Sequence, residues 1–189
     1  MPRATTLKKG KYKKMVIVKG NHINIPATSK NKVLVSETYI TNPPVVSRPQ
    51  HGIVINVTDK FLKKLSKPPK CYQVSFGNAC FFGKKFKKDY IMIAGVVNDG
   101  SMMGLLNITN MTYSDISSIR NHTQNPVWYK GKWSDPKVLK KIREEVCDKI
   151  LFITETHGGD VGMNIYIHLD KNNEIDSLVM DNNTLFNEQ

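Results

Sequence analysis

Two kinds of residue in this sequence could do chemistry: basic runs, and scattered acids and imidazoles. The basic kind is concentrated. Arg3, Lys8, Lys9, Lys11, Lys13 and Lys14 put six cations and no acid into residues 3–14. Lys84, Lys85, Lys87 and Lys88 flank Phe86 in a second run. At this density the available chemistry is neutralisation of a polyanion. A cation that meets a phosphate releases a condensed counterion, which gives affinity without sequence preference. Tyr12, set among the lysines, adds a ring on which a base could stack. These ten cations are the candidate nucleic-acid-binding residues.

The second kind is dispersed. His157-Gly158-Gly159-Asp160 holds an imidazole and a carboxylate three residues apart. A site needs a nucleophile or further ligands beside such a pair, so a glycine turn between strands is the better reading. His22, His51, His122 and His168 show no ligand spacing of the His-x-x-x-His kind. His168 alternates with Ile167 and is expected at a surface or interface. Asp170-x-Asn172-x-Glu174 matches part of a calcium loop but lacks its glycine and closing bidentate Glu, so a hairpin turn is expected. Glu144, Glu145 and Asp148 near Glu155 could gather around a nuclease metal, yet adjacent helical residues do not face one another. No Walker or Rossmann glycine pattern occurs. The expectation is a protein with no catalytic residues, no metal and no cofactor.

Charge is unevenly placed along the 189 residues. Residues 1–88 carry 19 Lys/Arg against Glu37 and Asp59, or +17; residues 89–189 carry 9 against 14 acids, or −5, for a net +12. A face turned toward nucleic acid produces such asymmetry, and a general excess of lysine for solubility is the plainer alternative.

Cys71, Cys80 and Cys147 are odd in number and form no Cys-x-x-Cys pair, so free thiols in a reducing compartment are expected. The basic start is followed by no signal-peptide apolar region. The longest apolar run, residues 90–97, has the length of a strand and not of a membrane span.

The elements that must position these residues are mostly short strands. Apolar alternation and turn residues predict strands over 14–25 (bent or split at Gly20-Asn21), 32–40, 51–58 and 70–82, the last interrupted at Gly77-Asn78. The stretch 41–49 holds three prolines and is a loop. Residues 90–97 are expected to be buried on both faces. Asn98-Asp99-Gly100 predicts a turn after which 102–108 pairs back as a hairpin. Strands follow over 150–156 and 162–169, and 174–180 returns on the latter through a turn at 170–173. Helices are predicted over 60–66, capped by Thr58 or Asp59, over 112–120, and over 135–149. The last has Pro136 in its first turn and a stripe of Val138, Leu139, Ile142 and Val146. Trp128, Tyr129 and Trp133 cluster among lysines as either an interface or a core-covering loop. The fold class is mainly β, an antiparallel sandwich or jelly roll, with α+β as the alternative. Its parts are an arm at 1–14, one domain at 15–182 and a polar tail at 183–189.

A basic arm, a first strand directly after it, a β-rich body and a closing strand pair together resemble the single-jelly-roll coat proteins of small viruses. The pair Ile150-Leu-Phe-Ile-Thr-Glu-Thr-His157 and Asn164-Ile-Tyr-Ile-His-Leu169 is similar to the last two strands in coats of circular single-stranded DNA viruses, and satellite-virus coats share the arm and the size. The arms of that family are richer in arginine than this one. The resemblance implies self-assembly of a homo-oligomer into an icosahedral shell, with the arm inside against single-stranded nucleic acid. It places the protein in the virion and the host cytoplasm or nucleus, with no membrane partner. A soluble nucleic-acid-binding protein is the alternative, and a metal-dependent nuclease the third.

Overall fold

The computed structural model describes residues 18–19, 26–37, 52–74, 77–83, 90–98, 102–112, 114–116, 118, 136–155 and 161–181. The loop at 41–49, the aromatic cluster at 128–133, the glycine stretch at 157–160 and both termini lie outside them.

The described residues form two sheets. β1 (Val18–Lys19), β4 (Lys70–Val74), β5 (Gly77–Gly83), β6 (Ile91–Asn98), β9 (Val161–Leu169) and β10 (Ile175–Asp181) make a six-stranded sheet in the order β1-β6-β9-β10-β5-β4. β2 (Asn31–Glu37), β3 (Gly52–Val57), β7 (Met102–Asn107) and β8 (Ile150–Glu155) make a four-stranded sheet in the order β3-β2-β7-β8. All pairings are antiparallel except β1 with β6. Among the described residues, helices lie in the connections as α1 (Asp59–Leu65) and α2 (Pro136–Glu145), and residues 114–116 and 118, within the helix predicted over 112–120, are helical too.

Period-two alternation explains how the sheets pack. Val33, Val35, Ile55, Val57, Met103, Leu105 and Ile153 of the smaller sheet share one core with Phe82, Met163, Ile165, Ile167, Leu178 and Met180 of the larger. Phe82 of β5 meets Phe152 of β8 edge to face, ring centroids 5.3 Å apart, across the two sheets. Phe61 and Leu65 of α1, with Leu139 and Ile142 of α2, join the same core. The mainly β antiparallel sandwich expected from the sequence is what the chain forms.

Strand partners differ from expectation in three places. β6 and β7 do not make a hairpin about residues 98–100: β6 pairs with β1 and β9, whereas β7 pairs with β2 and β8 in the other sheet. β8 and β9 likewise lie in different sheets. Residues 70–82 are not one interrupted strand but two antiparallel strands, Val74 opposite Gly77. That register also overturns the free-thiol expectation. It sets Cys71 directly opposite Cys80, Cα atoms 4.1 Å apart, and the two are disulfide-bonded; Cys147 is free. Nor is β6 buried on both faces, since Ile91 to Ala94 are half-buried and Gly95 is exposed. α2 is shorter than predicted, ending at Glu145 and not at 149.

Candidate nucleic-acid interface

The ten cations singled out from the sequence, Arg3, Lys8, Lys9, Lys11, Lys13, Lys14, Lys84, Lys85, Lys87 and Lys88, lie outside the described residues. A cationic face that sequence reasoning missed is carried by α1.

α1 begins because Thr58, in extended conformation, turns its Oγ1 to accept the Phe61 amide at 3.1 Å, supplying one of the partners a helix start lacks. Asp59, its one acid, accepts from Asn31 Nδ2 at 2.8 Å and is thereby tied to β2. The helix buries Phe61 and Leu65, four residues apart on one face. That leaves Lys60, Lys63 and Lys67 exposed and Lys64 half-buried. Among the described residues, none of these four lysines is in an ion pair. Lys70 follows at the start of β4.

Beside α1, a groove of about 450 Å³ runs to the turn between β9 and β10. The turn is closed by Asp170, whose Oδ1 accepts from the amides of Asn172 at 2.7 Å and Glu174 at 3.1 Å. Asn173 takes the left-handed conformation there, φ 60°, which asparagine tolerates. Glu174 accepts a hydrogen bond from Thr28. The hairpin expected at 170–173 is present, and the Asp170 carboxylate holds the turn.

One residue beyond the turn the ladder slips. Ile175 pairs with Leu169 and Ser177 with His168, so Asp176 is the extra residue of a bulge. The bulge aims Asp176 at His168: Oδ1 lies 2.6 Å from Nδ1, and the two side chains are 15% and 16% exposed. Tyr90, fully buried, meets the His168 ring edge on at 6.0 Å between centroids. Gly83 makes room for the bulge. At φ +86° it has a conformation that side-chain-bearing residues avoid, and an added Cβ would run into the Asp176 carbonyl oxygen and press on Phe61. His168 is thus held in a packed pair while its ring still lines the groove, in keeping with the surface or interface position expected of it. A signal was available: 168 and 176 are equidistant from the turn centre at 172, and such residues face each other across a hairpin.

α2 has a different arrangement. Lys140 and Lys141 each pair with the acid four residues on, Glu144 and Glu145, at 3.9 Å. Arg143 turns inward. Its Nε donates to the Ile150 carbonyl at 2.6 Å, and its Nη2 donates to the carbonyls of Leu151 and, at 3.4 Å, Ser66. Leu151 falls in the register irregularity of β8, and Ser66 is the C-terminal cap of α1. Arg143 thus fastens both helices to the edge strand of the smaller sheet. Burial lowers its pKa from the ordinary guanidinium value.

The outer face of the larger sheet is dry around β10. Ala79, Ser177, Val179 and Asp181 are fully buried, and Tyr166 is 3% exposed. Burial, reinforced by the Asp181 carboxylate and opposed by a hydrogen bond from Asn164, pushes the Tyr166 hydroxyl up to about 12. Elsewhere Thr112 and Asp115 cap each other, the Thr112 amide donating to Asp115 at 2.7 Å and the Asp115 amide to Thr112 Oγ1 at 3.2 Å. These bonds hold the Asp115 carboxyl below its ordinary range. Among the described residues no three His, Cys, Asp or Glu side chains gather as a metal site, and no helix is long and apolar enough to cross a membrane.

The chain is similar to a viral protein. It is 34% identical over 112 residues to an uncharacterized protein of Acanthamoeba polyphaga mimivirus, a stretch that is 58% of this chain and 54% of that relative. It therefore spans about half the length of the relative it matches. No family model matches, and no solved structure matches.

Proposed function

We propose that this chain is a viral structural protein, a coat subunit that assembles with copies of itself and packs nucleic acid against its basic leader. The observation that carries the reading is the charge distribution: 19 cations against two acids in residues 1–88. One of those acids, Asp59, is committed to Asn31, while the lysines beside it have no ion-pair partner among the described residues. Affinity of this origin is sequence-independent and strongly salt-dependent. Similarity to a viral protein supports the setting, and a two-sheet sandwich is a frame that shell subunits use. On this reading the protein is not an enzyme, needs no cofactor, works in the virion and the host cytoplasm or nucleus, and takes single-stranded nucleic acid in its arm.

Two measurements test it. Light scattering after size-exclusion chromatography, with electron microscopy, should find closed particles; a monomer or dimer at every concentration ends the coat reading. Binding to single-stranded oligonucleotide should weaken with salt. If about five arm cations engage phosphate, the logarithmic slope contains roughly −3 to −4 from the arm, lost when Lys8, Lys9, Lys11, Lys13 and Lys14 are changed to Ala.

A second reading, a soluble nucleic-acid-binding protein that does not form shells, is favoured by one observation. β10 of the larger sheet is buried on both faces from Ser177 to Asp181 within a single chain, so no apolar face there needs a second copy to cover it. The scattering experiment separates the two.

A further inference from the structure

The groove between α1 and the β9–β10 turn is lined by three lysines and by three carboxylates, Asp170, Glu174 and Asp176, whose oxygens are hydrogen-bonded within the protein. Lys60 and Lys64 stand one helical turn apart on its α1 wall, and Lys171 lines it from the turn. None of the three is in an ion pair among the described residues. The acids around them are engaged within the protein. Asp170 accepts two turn amides, Glu174 accepts from Thr28, and Asp176 holds His168. With Nδ1 held by Asp176, Nε2 is the ring nitrogen left for a ligand, and it has no partner among the described residues.

Size narrows the class. About 450 Å³ is near the lower end of the roughly 300–1,000 Å³ typical of small-molecule sites, enough for one nucleotide. The aromatic side chain on its wall, Phe61, is 2% exposed and committed to the core, so it offers no face for stacking a base. Recognition must then be of the phosphate and not the base. A divalent cation is the wrong ligand, because the carboxylates do not converge and each already has a partner.

We propose that this groove binds a phosphate group of nucleotide size, with Lys60 and Lys64 neutralising it and the His168 ring, oriented by Asp176, lining the site beside them. The phosphate can come from a free nucleotide or from a strand, and the strand source rests on the nucleic-acid reading above. Charge-assisted hydrogen bonds from two ammonium groups suit a phosphate oxygen set.

The test is calorimetric titration of the full chain at low salt with thymidine 5′-monophosphate, thymidine, inorganic phosphate and a single-stranded dT oligonucleotide. The monophosphate should bind, inorganic phosphate should compete, and thymidine should not bind. The double variant Lys60→Ala/Lys64→Ala should lose about tenfold or more in affinity for the monophosphate, the effect of removing charged hydrogen bonds. Lys63→Ala/Lys67→Ala, which changes α1 cations that do not line the groove, should leave it unchanged. Lys64→Gln repeats the test with little change of shape should the double variant fold poorly. Equal binding of monophosphate and thymidine, or a wild-type affinity in Lys60→Ala/Lys64→Ala, overturns the proposal. The wider function fails differently. If the oligonucleotide does not bind while the monophosphate does, the groove stands as a nucleotide site and packaging falls. If the arm variant lowers the oligonucleotide slope but the monophosphate never binds, packaging stands and the groove falls.

Discussion

Lys60-Phe-Leu-Lys-Lys-Leu65 in α1 and Lys137-Val-Leu-Lys-Lys-Ile142 in α2 share one pattern: cation, two apolar residues, two cations, apolar. Each helix turns its apolar side to the same core, so the pattern dictates the same docking. The two helices part at the residues just beyond it. α2 continues Arg143-Glu144-Glu145, which places a carboxylate four residues after each of Lys140 and Lys141 and sends a guanidinium to the sheet edge. α1 continues Ser66-Lys67-Pro68-Pro69, which stops the helix and adds a cation. One helix pairs two of its lysines with its own acids and acts as a clamp; the other leaves its lysines without ion pairs among the described residues and lines a groove. Three residues after a shared motif decide between structure and surface.

The largest test of shared docking lies in the core. Phe61→Ala should cost about 3–5 kcal/mol and Leu139→Ala about 2–5 kcal/mol, since each deletes a buried side chain from the same cluster. Urea denaturation measures both. A loss below about 1 kcal/mol at Leu139 would mean that α2 is not anchored as α1 is, and the comparison would collapse at its base.

The second test concerns the clamp. Arg143→Ala strips donors from the carbonyls of Ile150, Leu151 and Ser66 and should cost about 1.5–3 kcal/mol. Arg143→Lys should recover little of it, because an ammonium does not reproduce the planar fork. α1 has no counterpart, so Lys63→Ala should stay within about 0.5 kcal/mol of the unchanged protein. Thermal unfolding of the three variants decides whether the clamp belongs to α2 alone.

How far the sequence discloses this difference depends on the kind of signal. The helical stripes of α1 and α2 and the Thr58 cap are local and were legible. So was the antiparallel sandwich, since alternation tells which side chains turn inward. Alternation does not name the partner strand, however. Asn98-Asp99-Gly100 is a good turn sequence, yet the chain leaves one sheet for the other between β6 and β7. Cys71 and Cys80 are nine residues apart, a spacing that means nothing until the Val74–Gly77 register sets them opposite. The site was the least legible part. His168 and Asp176 meet because a bulge inserts one residue, and the bulge fits because Gly83 yields space on the neighbouring strand. Three strands fix that contact: hairpin symmetry about residue 172 points to the pair, but the bulge and the glycine that accommodate it do not show in that window.

A smaller effect tests the start of α1. Thr58→Ala removes the cap and should cost about 1 kcal/mol, whereas Thr58→Ser should cost only a fraction of that. Because Lys60 and Lys64 depend on the first turns of α1 for their spacing, phosphate affinity should fall in Thr58→Ala as well. A stability loss with no change in affinity would separate α1's fold from the groove it borders.

The smallest change in stability gives the sharpest view of the two helices. Glu144→Gln and Glu145→Gln remove exposed pairs held at 3.9 Å, and pairs of this kind contribute about 0.3–0.5 kcal/mol. Stability should hardly move. Binding should, if charge left unneutralised is what distinguishes α1. With its acids gone, α2 carries Lys140 and Lys141 as α1 carries Lys63 and Lys64, so single-stranded nucleic acid should find a second cationic face. Each additional phosphate engaged steepens the logarithmic salt slope by about 0.7. The reverse change, Lys67→Glu, sets a carboxylate four residues after Lys63 and should flatten the slope by a similar amount. Should the α2 change leave the slope untouched while the α1 change lowers it, freed charge is not sufficient. Position beside the groove, and not the absence of neighbouring acids, would then be what sets α1 apart.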